Sequence, residues 1–357
     1  MVSPRLVGSG HAVPARLDQT ELWDGFFAQH YGGDRVARHV WSSAGVDHRH
    51  GVVDPRTEDV SGWSTGRRME RFAEAAMPLG AAAVSAALRS AGLAAPDVGL
   101  FAVASCTGYG TPGIDIRLAQ QLDMAPTVQR LFVGHMGCYA ALPGLGAAAD
   151  FTVARSRPSL LLCLELPSLH LQPSTRSTTG ARASEGEMQQ MVAHALFSDA
   201  AAAVVVAPGG PGLALVDTVA LTDAASSRHM TWEITDLGFR MGLSARVPDI
   251  LARHVAGVVD ELLARHGLTR GDVRGWAVHP GGPRILDVVT EQLGLTESAL
   301  DASRATLRDF GNCSSATVLL VLEAITRAGL DPGDHVVALA FGPGLTLYAA
   351  LLTQSRG

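Results

Sequence analysis

Two stretches of this chain, about 175 positions apart, spell the same plan. Ala91-Gly-Leu-Ala-Ala-Pro-Asp-Val-Gly-Leu-Phe-Ala-Val leads on to Gln120-Gln-Leu. His266-Gly-Leu-Thr-Arg-Gly-Asp-Val-Arg-Gly-Trp-Ala-Val leads on to Glu291-Gln-Leu. Each follows a long amphipathic helical pattern and reads as a strand, a turn and a further helix. Further along, Gly137-Cys138 and Gly311-Asn312 keep nearly the same offset. After each comes a small-residue helix and then a very apolar strand, Ser159-Leu-Leu-Leu-Cys-Leu-Glu-Leu and His335-Val-Val-Ala-Leu-Ala-Phe. A repeat of this length is a duplicated βα unit rather than a solenoid. Apolar strands alternating with helices then predict an α/β core with sheets buried on both faces, its halves related by a pseudo-two-fold axis.

That duplication decides which residues matter. Cys138 and Asn312 fall at equivalent helix starts, so the axis would bring them to one central pocket. The loop after the second-half strand, Val278-His279-Pro-Gly-Gly-Pro-Arg-Ile-Leu-Asp287, would project to the same place, because ligands of such sheets sit at the carboxyl ends of strands. The three read as nucleophile, imidazole and carboxamide. A thiol at a helix start beside an imidazole is expected to have a lowered pKa and to attack thioesters. An imidazole and an amide NH2 aimed at one carbonyl oxygen can hold an enolate or an oxyanion. Taken singly, each has a blander reading: a buried small hydrophobe, a turn residue before Pro-Gly-Gly, a helix N-cap. Their joint placement is what favours chemistry.

Composition narrows the rest. At 357 residues, 47% hydrophobic and 17% charged, the chain can bury a large core. A net charge of −6 gives no footing for nucleic acid. Cys106, Cys138, Cys163 and Cys313 show no metal-ligand spacing, so reduced thiols and no metal site are expected. No signal-like or membrane-spanning run occurs, which points to the cytoplasm. All 28 basic residues are arginine, which excludes lysine Schiff-base chemistry and a Walker A loop. Residues to about Arg67 are mixed: a short apolar opening, then Leu17 to Gly51, which carries Arg35, Arg38, His39, His48, Arg49 and His50 and reads as helix, loop and an exposed basic patch.

On these motifs the chain resembles the type III polyketide synthases of the chalcone-synthase kind, within the thiolase superfamily, from about Leu6 to Leu352. The motifs are Gly137-Cys138-Tyr139, His279-Pro-Gly-Gly-Pro-Arg-Ile-Leu-Asp287, Gly311-Asn-Cys-Ser-Ser-Ala316 and Phe341-Gly-Pro-Gly-Leu-Thr346. The resemblance implies a thiolase-like duplicated βαβαβ core in five layers, α-β-α-β-α, with halves at 1–210 and 211–357. It implies that Cys138 takes an acyl starter from coenzyme A. His279 and Asn312 then promote decarboxylation of malonyl-CoA or methylmalonyl-CoA and hold the enolate. Phe197 is implied as a gatekeeper, and Met241 stands where a second gatekeeper Phe is usual. Cys106, Thr107, His170 and Ser314 are implied in the pocket, and Thr111 replaces a Met that crosses a homodimer. Arg35, Arg38 and Arg49 stand in for the coenzyme-A-contacting lysines that this chain lacks. The substrates are thioesters delivered by coenzyme A or by a carrier protein, with no resident cofactor.

General likeness and the flexible thioether of Met241 favour a long fatty acyl starter and an alkyl α-pyrone or resorcinol product. The rival within the fold is a single-condensation ketosynthase. A papain-like hydrolase shares the Cys, His, Asn order but not the repeat, and a silent partner subunit would not need Cys138.

Overall fold

The apolar runs that the repeat singles out, Ser159–Glu165 and His335–Gly342, become buried strands of a mixed sheet, each paired on both edges. The description rests on a computed structural model and covers residues 3–174 and 184–355. The first half opens with β1 (Arg5–Ala12), β2 (Ala15–Asp18), the short helices α1 (Gln19–Leu22) and α2 (Ala28–His30), α3 (Arg35–Ser42) and β3 (His48–Gly51). It continues with α4 (Thr65–Ala91), β4 (Leu100–Ala104), α5 (Ile114–Gln121), β5 (Gln129–Val133), α6 (Ala141–Arg155), β6 (Ser159–Glu165), α7 (Glu185–Leu196) and β7 (Ala200–Ala207). The second half runs β8 (Leu213–Thr222), β9 (Met230–Thr235), β10 (Gly238–Leu243), α8 (Val247–Ala264), β11 (Val273–Val278) and α9 (Pro283–Leu293). It closes with α10 (Asp301–Phe310), α11 (Ser315–Ala328), β12 (His335–Gly342) and β13 (Thr346–Gln354).

Strand order is β11-β12-β13-β8-β1-β7-β6-β4-β5, nine strands in one hydrogen-bonded series. The two halves meet at β1 and β8, where only Arg5↔Ala214 and Leu6↔Leu213 are paired. Three apolar clusters layer the molecule. One lies between α4 and the first-half strands. The second fills the middle, where α6 and α11 are sandwiched between strands of both halves. The third packs α8 and α9 on the second-half strands. This is the expected five-layered α/β thiolase-like arrangement, with both central helices enclosed.

Local chemistry explains the element ends. The 27-residue α4 starts on a Ser64 side-chain cap and stops at Gly92 in the left-handed region, φ 65°. Pro143 falls in the first turn of α6, where its missing N–H costs nothing. The opening segment departs from the sequence reading. Arg5–Ala12 is an internal strand between β7 and β8, and Gly8 and Gly10 let α4 press on it: an added Cβ would lie 2.6 and 2.5 Å from α4 backbone. Two glycines inside a strand hid it from a periodicity reading. Arg49 and His50, read as exposed, lie buried on β3.

Candidate active site

Cys138 sits in a single 3-10 turn, Gly137–Tyr139, between β5 and α6. Gly137 has φ 73°, and a Cβ there would come within 2.7 Å of Pro343 Cδ. Gly311, also at φ 73°, precedes Asn312 in the second half, and its Cβ would meet Ser198 Cβ at 2.9 Å and the Leu196 carbonyl at 3.1 Å. Each functional side chain is therefore introduced by a left-handed glycine just ahead of a central helix. His279 follows β11, its N–H donating to the Leu339 carbonyl at 2.7 Å, and the Pro-Gly-Gly turn then starts α9 at Pro283.

Cys138, His279 and Asn312 line one cavity of about 600 Å³ and are 6%, 1% and 2% exposed. Its walls are mostly apolar: Met188, Val192 and Leu196 from α7, Met230, Met241 and Leu243 from the β9–β10 hairpin, with Val247, Ile285 and Phe341. The Ser314 N–H donates to Asn312 Oδ1 at 2.9 Å, which fixes the carboxamide and leaves its NH2 end for a ligand. The His279 ring stands edge-on to Phe341 at 5.6 Å, and its buried Nδ1 has no hydrogen-bond partner among the described residues.

The electrostatics differ from the sequence expectation. Burial pushes the Cys138 thiol up to about 12, partly offset by a hydrogen bond with Ser314. Burial pulls His279 down to about 3. Removal from water outweighs the stabilising effect expected of the helix start. Both groups are thus neutral in the unliganded protein, a thiol beside an imidazole rather than an ion pair.

Phe197 ends α7 and is joined to Asn312 by an isolated parallel bridge. Asn312 N–H donates to the Leu196 carbonyl at 2.9 Å, and Ser198 N–H donates to the Asn312 carbonyl at 3.0 Å. Phe197 and Met241 line both the main cavity and a second interior space of about 70 Å³, so they stand between the two. His170 lines only the smaller space. Its Nε2 donates to the Thr107 carbonyl at 2.6 Å, its Nδ1 accepts from the Phe239 N–H at 3.0 Å, and its ring stacks on Phe239 at 4.5 Å. Both ring nitrogens are consumed, and burial keeps His170 neutral, at about 4.

Cys106, Thr107 and Ser314 lie behind Cys138, outside the cavity lining. The Cys106 N–H and the Thr107 hydroxyl both donate to Glu165, at 3.1 and 2.8 Å, and Ser314 Oγ is 3.7 Å from Cys106 Sγ. Thr111 lies on an exposed loop beside β5, in a separate surface groove with Tyr109 and Phe132.

Of the three arginines expected to contact coenzyme A, Arg35 and Arg38 are exposed on α3 and do not line the Cys138 cavity. Arg49 is corrected: it is 6% exposed and wholly committed inside the protein. Its guanidinium donates to the carbonyls of His194 (2.6 Å), Ala195 (2.5 Å) and Phe197 (3.0 Å) and to the Gln19 carboxamide, and it stacks over Trp41 at 4.8 Å. These are the end carbonyls of α7, which a cation suits. Arg49 therefore holds the helix that carries Phe197, and has no donor left for a phosphate.

The sequence reading passed over Glu165. Fully buried on β6, it accepts from Cys106, Thr107 and, at 2.6 Å, Ser315, and burial raises its pKa. The available signal was a lone carboxylate in an apolar strand. Among the described residues no group of three or more His, Cys, Asp or Glu side chains could share a metal ion, and no helix is long and apolar enough to cross a membrane.

Comparison with known proteins agrees with this geometry. Residues 54–211 match the family model for chalcone and stilbene synthases, N-terminal domain, and residues 205–355 match that for the C-terminal domain. The chain is 34% identical to the 1,3,6,8-tetrahydroxynaphthalene synthase of Streptomyces peucetius subsp. caesius, covering 99% of this chain and 97% of that protein. It is 30% identical to the alpha-pyrone synthesis polyketide synthase-like Pks18 of Mycobacterium tuberculosis, covering 81% and 73%. Among solved structures, the tetrahydroxynaphthalene synthase of Streptomyces coelicolor A3(2) superposes with a TM-score of 0.91 at 26% identity, over 99% of this chain and 100% of that one.

Proposed function

The chain belongs to the chalcone and stilbene synthase family of type III polyketide synthases, and from that premise we propose that Cys138, His279 and Asn312 are its catalytic residues and that it extends a fatty acyl starter. The observation that carries the assignment is that the three buried side chains line one mostly apolar cavity. Cys138 Sγ attacks the thioester carbonyl of the starter, and the coenzyme A thiol leaves with the proton. The neutral thiol must lose that proton as it attacks, and neutral His279, lining the same cavity, is the base at hand. A malonyl thioester then enters and loses carbon dioxide. The electron pair of the broken C–C bond becomes an enolate, whose oxygen the Asn312 NH2 and the imidazole N–H stabilise. The enolate carbon attacks the acyl group on sulfur, a C–C bond forms, and the Cys138 thiolate departs. The extended chain, now a coenzyme A thioester, is transferred back to Cys138 as the coenzyme A thiol leaves, and repetition followed by ring closure gives an alkyl α-pyrone or resorcinol.

The apolar walls, with Met188, Met230 and Met241, support a fatty acyl guest, since thioethers adapt to chains of different length. A second reading, a starter no larger than a malonyl unit, is favoured by two observations. The space behind Phe197 and Met241 is only about 70 Å³, hemmed in by His170, Trp232 and Phe239. The relative at 34% identity is named for a naphthalene product. Acyl-CoAs of graded length, offered with malonyl-CoA or methylmalonyl-CoA and followed by mass spectrometry, separate the two. Products bearing a long alkyl chain support the first reading, and products from malonyl-CoA alone overturn it. More than one extension per turnover excludes a single-condensation ketosynthase.

We also assign the edge strand β5 to a homodimer interface. Leu131 and Phe132 on it, and Tyr109 beside it, are 38%, 40% and 67% exposed, an apolar surface on a strand whose outer edge is free.

A further inference from the structure

Asn312 owes its backbone position to the other half of the molecule. Its N–H donates to the Leu196 carbonyl at 2.9 Å, and its own carbonyl accepts from the Ser198 N–H at 3.0 Å. Whatever fixes residues 196–198 therefore fixes the carboxamide as well. This stretch is the end of α7, where the last carbonyls of a helix lack intrahelical partners. A single side chain from β3 collects them. The Arg49 guanidinium takes the carbonyls of His194, Ala195 and Phe197, so it grips the chain on both sides of the Leu196 carbonyl that holds Asn312. We propose that Arg49 is a positioning residue for decarboxylation: it lies outside the Cys138 cavity and sets where the Asn312 carboxamide stands.

Other contacts of the same strand converge on the same place. The Ser198 hydroxyl accepts from the His50 N–H at 2.8 Å, and the Asp199 N–H donates to the His50 carbonyl at 2.9 Å. Just before β3, the Asp47 N–H donates at 2.8 Å to the carbonyl of Arg308, near the end of α10, the helix that leads into Gly311. A Cβ placed on Gly311 would lie 3.6 Å from Arg49 Cβ, so the stem of Arg49 packs against the residue before Asn312. β3 thus clasps both approaches to the carboxamide, one from each half.

A buried guanidinium is an unusual way to finish a helix. Taking it out of water is unfavourable, and the hydrogen bonds of Arg49 go to backbone carbonyls and the Gln19 carboxamide rather than to a carboxylate. The ends of α4 and α9 are closed by left-handed glycines, Gly92 and Gly294. Those helix ends carry no residue that faces the cavity beside Cys138. Arg68 provides a contrast within the chain. It is equally buried and donates to the carbonyls of Ser61, Trp63, Leu169 and Leu171, none of which lies in the stretch bonded to Asn312.

The inference rests on the role proposed above for Asn312. Its test is a double-variant cycle on malonyl-CoA decarboxylation, with acyl loading of Cys138 followed separately by intact mass. Arg49→Gln should lower kcat for decarboxylation about 10- to 100-fold, the loss expected when a reacting group is displaced by about 1 Å. KM for malonyl-CoA and the loading rate should each change less than about threefold, because Arg49 touches neither thioester. In the Asn312→Ala background no carboxamide remains to be displaced, and the same substitution should lower the rate less than about threefold further. Arg49→Lys keeps the charge but cannot span all the carbonyls, so it should fall between wild type and Arg49→Gln, and it carries the cycle if Arg49→Gln does not fold. Arg68→Gln should lower thermal stability and leave the ratio of decarboxylation to loading where it was. A loss at Arg49 as large in Asn312→Ala as in wild type would overturn the positioning role in favour of a purely structural one. A rise in KM with kcat unchanged would overturn it in favour of a substrate contact. Decarboxylation at the wild-type rate by Asn312→Ala alone would instead remove the reading of Asn312 from which the inference starts.

Discussion

The two halves are built from one plan but diverge at two places, and both divergences serve the site. Before the nucleophile the first half has a strand, β5, at the open edge of the sheet; before Asn312 the second half has a helix, α10. Between their last two strands the first half makes a long excursion carrying α7, while the second turns back through only Pro343, Gly344 and Leu345. What the halves share is the left-handed glycine and the central helix behind each functional residue. Duplication thus supplies the point of convergence, and the unshared segments supply the wall of the cavity and the free edge. On the proposed assignment, Cys138 and Asn312 sit in the repeated part and the residues that would set selectivity in the part that was not repeated.

The largest test of that division is removal of the thiol. Cys138→Ala should abolish acyl loading, seen as loss of the mass shift on intact protein, and lower polyketide formation by about 10⁴-fold or more. A variant that still loads would show that the first-half helix start is not where the acyl group binds. Next in size is the second-half counterpart. Asn312→Ala should slow malonyl-CoA decarboxylation by about 10²- to 10³-fold while loading falls much less, because the carboxamide acts on the enolate. Equal losses in both steps would place Asn312 in loading as well.

The shared glycines come third. Gly137→Ala and Gly311→Ala should each destabilise the protein by about 2 kcal/mol or more in denaturant titrations, given φ 73° and close neighbours at both sites. Gly311 has ψ −170°, a region open essentially to glycine alone, so its substitution should cost more. The unshared edge is weaker still. Phe132→Glu should raise the dimer dissociation constant about tenfold by sedimentation, whereas Ile116→Glu, on the outer helix α5, should have a smaller effect.

The last test concerns pH, and its effect appears only away from neutrality; each half sets one limit. His279 is held near 3 against 6.5 in the unfolded chain, so between those values the unfolded state binds more protons and stability falls as the solution is acidified. Cys138 is held near 12 against 9, so the folded state keeps its proton longer and stability falls as pH rises from 9. Chemical denaturation across pH should show His279→Gln relieving the acid-side loss and Cys138→Ala relieving the alkaline one. Unchanged profiles would mean that burial does not control these two groups.

Residues at repeated positions were legible in the sequence, because Gly137-Cys138 and Gly311-Asn312 could be compared with each other. So was the layered α/β core, because apolar runs such as Leu160–Leu164 admit few other settings; the count of five layers came from the family resemblance. Arg49 was not legible. Its neighbours His48 and His50 suggest a solvated patch, and the carbonyls that claim it come from α7, roughly 145 residues away. Nor was the upward shift of Cys138, since a helix start can be read locally but enclosure depends on every wall.

The backbone bridge between Phe197 and Asn312 has a consequence for how such an enzyme can diversify. Trimming the Phe197 side chain enlarges the chamber while leaving the carboxamide where it was. Shifting the backbone at the end of α7 to admit a bulkier guest would drag Asn312 along and degrade every later condensation. Capacity can therefore be gained cheaply by changing side chains on this wall, and only at the expense of turnover by moving the wall itself.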